Sequence, residues 1–246
     1  MLNVINTTTI HGQDRLIQAV EEQKANGRGL ITVCNHTSMF DDPGVLSLLM
    51  PWHWLWSEPL TEKVRWSICA KEVCFKNELL RHFFLNGKTL PVERGKVGVY
   101  QPVVSIAAHT LAKGGWVHLF PEGRINYDGK LGPLRWGVGK LICEARQLNG
   151  GRDPALLPFY HSGMGEVLPI TMDRLNVGRS VEVRVGEHIK VDDLTCNCDS
   201  PDMAVQQETW KAITARVRAA LLELEAQCPT NPDQTDVAPK REPPPS

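Results

Sequence analysis

The chain lacks any apolar run close to the roughly 18 consecutive residues that a membrane-spanning helix requires. It also lacks a charge bias, with 27 Lys and Arg against 28 Asp and Glu. There is therefore no bulk electrostatic case for nucleic acid as a partner, and any cationic site must be local. The start of the chain has neither the charged-then-apolar plan of a signal peptide nor the Arg-rich character of a transit peptide.

A disulfide framework is not indicated either. The seven cysteines are odd in number and lie mostly in apolar runs, which predicts reduced, buried thiols. Cys196 and Cys198 are spaced Cys-x-Cys with no second Cys/His pair nearby, an arrangement that does not favour zinc. We therefore expect no metal and no cofactor.

What the sequence does contain is a regular alternation of short β-branched runs and amphipathic segments. Strands are predicted at 29–34, 66–70, 88–92, 116–120, 155–160 and 180–185, and helices at 13–26, from 42 onward, and at 76–86, 105–113, 137–148 and 202–227. This alternation predicts a single α/β domain with a largely parallel central sheet flanked by helices. We expect an N-terminal helix region at 1–27, the main domain at 28–228 and a disordered, proline-rich tail at 229–246.

The segment NHTSMFDDPG (35–44) carries a histidine and two aspartates directly after a predicted strand. Asp42 before Pro43 is typical of an N-cap followed by proline at the first helical position. Residues five apart lie about 140° out of phase on a regular helix, so His36 and Asp41 meet only if TSMF turns back. If they meet, the carboxylate orients the imidazole and His36 acts as a general base. The alternative is that Asp41 and Asp42 only cap a helix and His36 is a solvated loop residue.

Three further blocks follow in order: GKTLPVERG (87–95), FPEGR (120–124) and LLPFYHSGMGEVLP (156–169). A glycine in a strand-end loop allows close approach of the backbone to a ligand, and an arginine can bind phosphate through two hydrogen bonds. Together with His-x4-Asp, these blocks resemble the glycerolipid acyltransferase superfamily.

That resemblance implies an acyltransferase domain over 28–228 with the fold of the superfamily. It implies His36 as the catalytic base and Asp41 as its orienting partner. It also implies that Arg94, Glu122 and Gly123 help to hold the glycerophosphate part of a lipid.

The segments GGWVHLFPEGRIN (114–126) and LRWGVGKLICEA (134–145) are most similar to the branch that moves acyl chains between phospholipids and lysophospholipids. This likeness implies cardiolipin remodelling without CoA, at a mitochondrial membrane. Two alternatives share the same motifs: an acyl-CoA-dependent lysophospholipid acyltransferase, and a non-catalytic lipid-binding protein on the same fold.

Two apolar segments have competing interpretations. GVLSLLMPWHWLW (44–56) ends with Trp52, Trp54 and Trp56, a residue type enriched at lipid headgroups, which predicts a monotopic or peripheral membrane contact. The alternative is an apolar helix that leads into a buried strand. GVGK (137–140) lacks the Gly-Lys-Ser/Thr pattern of a phosphate loop, and we interpret its glycines as helix-packing residues.

Overall fold

A seven-stranded sheet forms the centre of the fold. The structure, a computed structural model, describes residues 5–55, 63–95, 98–169 and 174–228. The strands, numbered in chain order, are β1 (Thr7–His11), β2 (Leu30–Val33), β3 (Trp66–Ala70), β4 (Thr89–Val92), β5 (Trp116–Leu119), β6 (Ala155–Ser162) and β7 (Ser180–Val185).

The spatial order of the strands is β1-β7-β6-β2-β5-β3-β4. Strand β2 pairs in parallel with both β5 and β6, and β3 pairs in parallel with β4 and β5. Strand β7 is antiparallel to β6, and β1 is parallel to β7. The prediction of an α/β domain with a largely parallel sheet is confirmed, and the carboxyl ends of β2 to β6 share one edge.

Helices cover both faces of the sheet. They are α1 (Gln13–Asn26), α2 (Asp41–Leu49), α3 (Lys71–Cys74), α4 (Glu78–Asn86), α5 (Pro102–Ala112), α6 (Gly137–Leu148), α7 (Met164–Val167), α8 (Asp192–Thr195) and α9 (Met203–Gln227), with 3-10 turns at Trp52–Leu55 and Gly98–Tyr100. One core joins α5, α6 and α9 to the sheet, and a second core joins α1 and α2 to it. Within the part of the chain that the structure describes, no helix is long and apolar enough to cross a membrane.

Helix α9 buries the apolar stripe that its sequence predicts. Trp210, Ile213, Val217 and Leu221 are at most 3% exposed. Each fully buried aliphatic side chain of this kind contributes about 1.5–3 kcal/mol. A Cβ atom added to Gly139 would lie 2.2 Å from the Trp210 carbonyl oxygen, so the interpretation of this glycine as a helix-packing residue is confirmed.

The residues before position 28 contribute more than the predicted helix. Strand β1 has the sequence TTTIH and was not expected, because Ile10 is its only aliphatic residue. It pairs along its whole length with β7, from Thr7 opposite Ser180 to His11 opposite Arg184. Backbone pairing, rather than apolar burial, therefore brings this segment into the sheet.

The cysteine prediction was wrong for four of the seven residues. Cys69 is bonded to Cys74 across the β3–α3 junction, and Cys143 of α6 is bonded to Cys198 after α8. The second pair is 55 residues apart, so only the folded chain brings its members together. Cys34 and Cys228 are buried and unpaired as expected, whereas Cys196 is unpaired but exposed.

The three tryptophans after α2 differ in environment. Trp54 is 2% exposed and belongs to the core under α2, so the prediction that it contacts lipid was wrong. Trp52 is 76% exposed. Trp56 and the predicted disordered tail at 229–246 lie outside the described residues.

Candidate active site

The predicted site residues gather at the carboxyl edge of the parallel strands. His36 follows β2, Glu122 and Gly123 follow β5, and Arg94 follows β4. Ligands of open α/β sheets commonly bind in the crevice at this edge. The sheet topology therefore brings together residues that are up to 87 positions apart in sequence.

The segment between His36 and Asp41 turns back, so their side chains meet. Asp41 Oδ2 accepts hydrogen bonds from the backbone N–H groups of Thr37 (2.7 Å) and Ser38 (2.9 Å). The same oxygen lies 2.9 Å from His36 Nδ1. The carboxylate thus closes the turn and orients the imidazole. No described side chain caps the start of α2, so the alternative that the two aspartates only cap a helix was wrong.

Burial differs sharply across this pair. The Asp41 side chain is 0% exposed, whereas that of His36 is 18% exposed and stacks on Phe120 with ring centroids 4.0 Å apart. Among the residues that the structure describes, none hydrogen-bonds to His36 Nε2. With Nδ1–H donated to Asp41, Nε2 carries the lone pair that can accept a proton.

Asp41 is held in its ionised form. Burial opposes its ionisation, but interactions with His161 and then with His36 outweigh burial and hold the pKa of the carboxyl well below its ordinary value. An anionic Asp41 stabilises the positive charge that His36 gains when it accepts a proton.

Asp42 has another role than the predicted N-cap. Its backbone is extended (φ −117°, ψ 114°), and its Oδ1 accepts a hydrogen bond from the guanidinium of Arg65. Both side chains are at most 10% exposed, which makes this a buried ion pair. Asp42 thus fixes the start of α2 against β3 rather than capping the helix with its carboxylate.

Glu122 is buried beneath the site, at 2% exposure. Its Oε1 accepts the backbone N–H of His36 (2.8 Å), and its Oε2 accepts the backbone N–H of Gly132 (2.9 Å) and the side-chain amide of Asn126. Burial raises the pKa of Glu122, while these hydrogen bonds partly oppose the rise. With both oxygens occupied, this geometry favours support of the His36 loop over direct contact with lipid.

Gly123 and Arg94 are both exposed to solvent, and different constraints act on them. Gly123 has φ +66°, a backbone conformation that favours glycine, whereas an added Cβ would meet only the flexible Arg135 side chain (Nε at 2.7 Å), which can move aside. The Arg94 side chain is 56% exposed and forms one loose ion pair with Glu72 (3.4 Å). Burial raises the pKa of Tyr127, and the positive charge of Arg94 partly opposes that rise. Tyr127 directly follows Asn126, and the backbone N–H of Asn126 donates a hydrogen bond to the His36 carbonyl oxygen. Arg94 is therefore an exposed cation in the region of Tyr127.

Sequence reasoning missed His161, which is fully buried with its Nε2 3.5 Å from Asp41 Oδ2. The signal that could have found it is a titratable residue inside the apolar strand ALLPFYHS. His118 is buried on β5, and burial lowers its pKa to about 3. Its Nδ1 lies 2.9 Å from Thr32 Oγ1, so it belongs to the sheet rather than to the His36 pair.

A cavity lies apart from the site, and no metal-ligand cluster is found among the described residues. A cavity of about 300 Å³ near Gln23, Arg28 and His188 sits at the amino ends of β2 and β6, at the opposite edge of the sheet. Among the described residues, no three His, Cys, Asp or Glu side chains converge as metal ligands do.

Comparisons with known proteins agree with this architecture. The family model described as "Acyltransferase" matches residues 8–162. The solved 1-acyl-sn-glycerophosphate acyltransferase PlsC of Thermotoga maritima superposes with a TM-score of 0.57 over 92% of this chain and 75% of that chain. At 15% identity, that likeness shows the shared fold.

Two relatives narrow the assignment. The tafazzin of Drosophila melanogaster is 34% identical over 92% of this chain, which spans 57% of that protein's length. The tafazzin of Dictyostelium discoideum is 31% identical over 87% of this chain, which spans 77% of that protein. The chain therefore belongs to the acyltransferase family, within its tafazzin branch.

Proposed function

We propose that the protein transfers fatty acyl chains from phospholipids to lysophospholipids, with cardiolipin among its lipids, at a mitochondrial membrane. The observation that carries this proposal is the pair formed by buried, ionised Asp41 and partly exposed His36, joined at 2.9 Å. Family membership supplies the acyl chemistry, and the pair supplies the base that such chemistry requires.

The reaction proceeds by proton transfer through His36. The hydroxyl of the lysophospholipid gives its proton to His36 Nε2 as its oxygen attacks the ester carbonyl carbon of the donor phospholipid. The tetrahedral intermediate collapses, the donor C–O bond breaks, and the imidazolium returns the proton to the departing alkoxide. Atoms and charge balance without a metal or CoA. Backbone N–H groups are proposed to stabilise the oxyanion.

We assign binding of the lipid phosphate to Arg94. Its side chain is more than half exposed and, among the described residues, forms only a loose, solvent-accessible pair with Glu72, so its guanidinium is available to an anion. Glu122 and Gly123 contribute indirectly, by fixing the loop that carries His36 and the turn beside Arg135.

Helix α4 provides the surface that we propose to meet the bilayer. It buries none of its residues, and Leu79 and Phe83, four positions apart, are 81% and 67% exposed. Residues at this spacing share one helix face. Because α4 follows β3 after only one short helix, it begins at the same edge of the sheet as the site. A protein that lies on the membrane through α4, rather than spanning the membrane, would therefore have its active site close to the lipid.

The donor is the part of the proposal that general-base chemistry leaves open, since His36 could activate a hydroxyl against an ester or a thioester. The test follows a labelled acyl chain from phosphatidylcholine to lysocardiolipin in CoA-free liposomes. We expect transfer without CoA. Transfer that occurs only when acyl-CoA is supplied would reject transacylation and assign the protein to acyl-CoA-dependent lysophospholipid acylation.

A further inference from the structure

A second histidine touches the carboxylate that orients His36. His161, near the end of β6, has a side chain that is 0% exposed, so it cannot meet a substrate. Its Nε2 lies 3.1 Å from the Asn35 carbonyl oxygen and 3.5 Å from Asp41 Oδ2. Because a carbonyl oxygen only accepts hydrogen bonds, Nε2 carries the proton in this arrangement.

The position of this imidazole is tightly determined by Asn35. The Asn35 side-chain amide donates to the His161 carbonyl oxygen (2.9 Å), and its Oδ1 accepts the His161 backbone N–H (2.9 Å). Asn35 is itself fully buried and directly precedes His36 in the chain. The end of β6 is thus joined to the His36 loop by three polar contacts around one asparagine.

We propose that His161 is a positioning residue, whose Nε2–H holds the Asp41 carboxylate and the Asn35 carbonyl in register so that Asp41 stays ionised and aligned on His36. This inference deepens the proposed function and rests on it for its catalytic consequence. A buried carboxylate needs charged or hydrogen-bonding partners to remain ionised. In the resting site His36 must be neutral to act as a base, so His161 supplies the second side-chain donor to that carboxylate.

Few other ionisable groups among the described residues lie around His161 and the Asp41 carboxylate. Strand β7 places apolar Val183 opposite His161. Among the described residues, the charged and titratable groups that interact with this region include the Asp42–Arg65 pair, from α2 and the residue before β3, Glu122 and His118 from β5 and its loop, and the Cys34 thiol directly after β2. Of these, none donates a described hydrogen bond to Asp41, so the contacts that hold this carboxylate within the described residues are the backbone N–H groups of Thr37 and Ser38 and the two imidazoles of His36 and His161.

Two substitutions separate positioning from simple packing. The Nε2 amide of glutamine reaches the place of the imidazole Nε2–H, so His161→Gln keeps the donor, whereas His161→Phe fills the space and removes it. We expect His161→Phe to lower kcat by roughly 10–100-fold, because small misplacement of catalytic groups costs rates of this order. Its acid limb in the pH–rate profile should move to higher pH, with KM unchanged. His161→Gln should recover most of the rate.

The matched control is His118→Phe. His118 is as buried as His161 and lies near the same strands, yet its ring nitrogens face Thr32 and Cys34. We expect this variant to be less stable while the acid limb stays where it is in the parent. Equal shifts of the acid limb in the His118→Phe and His161→Phe proteins would contradict a specific role for His161.

A readout independent of activity is the NMR signal of the His36 Nδ1 proton, assigned by its loss in His36→Gln. The signal should persist in the parent and in His161→Gln, and should shift and exchange faster in His161→Phe. An unchanged signal and an unchanged pH–rate profile in folded His161→Phe would overturn the inference. Equal loss of the signal in His161→Gln and His161→Phe would overturn it as well. Absence of acyl transfer by the parent would reject the proposed function alone, and the NMR signal would still decide the role of His161.

Discussion

Replacement of Glu122 by glutamine distinguishes a lipid-binding carboxylate from one that supports the His36 loop. The carboxylate accepts three hydrogen bonds: one from the His36 backbone at Oε1, and two at Oε2, from Gly132 and Asn126. Glutamine offers one acceptor oxygen and one NH2 group. In either orientation of the amide, its NH2 faces a backbone N–H that then lacks its acceptor.

The magnitude follows from these contacts. A buried donor left without an acceptor costs about 1–3 kcal/mol, and exchange of a charged for a neutral acceptor weakens each remaining bond by about 1 kcal/mol. Relief from burying a charge offsets part of this cost. We therefore expect Glu122→Gln to lose about 2–4 kcal/mol of unfolding free energy. We also expect a lower kcat, because the His36 backbone loses its anchor.

Urea unfolding and steady-state kinetics test this expectation together. The control is Glu208→Gln, since Glu208 is 72% exposed and its ion pair among the described residues is with Lys211, a contact worth at most about 1 kcal/mol. If Glu122→Gln keeps the parent's unfolding free energy and raises only the KM for lipid, Glu122 binds substrate and the assignment of a supporting role is wrong.

Three further perturbations address the charge, the phosphate contact and the membrane face. Asp41→Asn should have a lower free energy of unfolding than the parent at neutral pH. The difference between the two proteins should shrink as pH falls below the ordinary carboxyl pKa of 3.8, because the stability that a depressed carboxyl pKa gives to the parent is lost in acid. A difference in urea unfolding that does not change with pH would contradict this. Arg94→Ala should raise the KM for phosphate-bearing acceptors at least roughly tenfold with unchanged stability, and Arg94→Lys should recover only part of the affinity; an unchanged KM would make Arg94 an ordinary surface charge. Leu79→Ser combined with Phe83→Ser should weaken binding to liposomes at least roughly 100-fold in a co-sedimentation assay, since the two side chains together contribute about 3 kcal/mol or more when buried, whereas Ile106→Ser on α5, 51% exposed in the parent, should bind like the parent; equal loss in both would exclude α4 as the docking face.

The alternation of strands and helices in the sequence was sufficient to predict the sheet, because the central strands β2, β5 and β6 are mostly apolar and mostly buried on both faces. Strand β2, with the sequence LITV and four buried residues, is the clearest case. Strand β1 was missed because an edge strand is held by its backbone, and TTTIH carries little apolar signal. Periodicity detects burial, and it does not detect pairing that involves the main chain alone.

The site was partly predictable for a similar reason. His36 and Asp41 are close in sequence, so their contact needs only a local turn, and the structure brings them together as that hypothesis required. His161 is 125 residues from His36, and the contacts that give it meaning depend on the neighbouring positions of β2 and β6 in the sheet. The Cys143–Cys198 bond and the buried Asp42–Arg65 pair are also products of the assembled fold.

The proposed mechanism depends above all on His36, which moves the proton in acyl transfer. Its most direct test is the initial rate of transfer from labelled phosphatidylcholine to a lysophospholipid by His36→Gln, compared with the parent and with His109→Gln, which alters an exposed histidine on α5. We expect the rate to be lower by about 10²–10⁴-fold for His36→Gln at unchanged fold, and to equal that of the parent for His109→Gln. A folded His36→Gln protein that transfers acyl chains at the parental rate would contradict this mechanism.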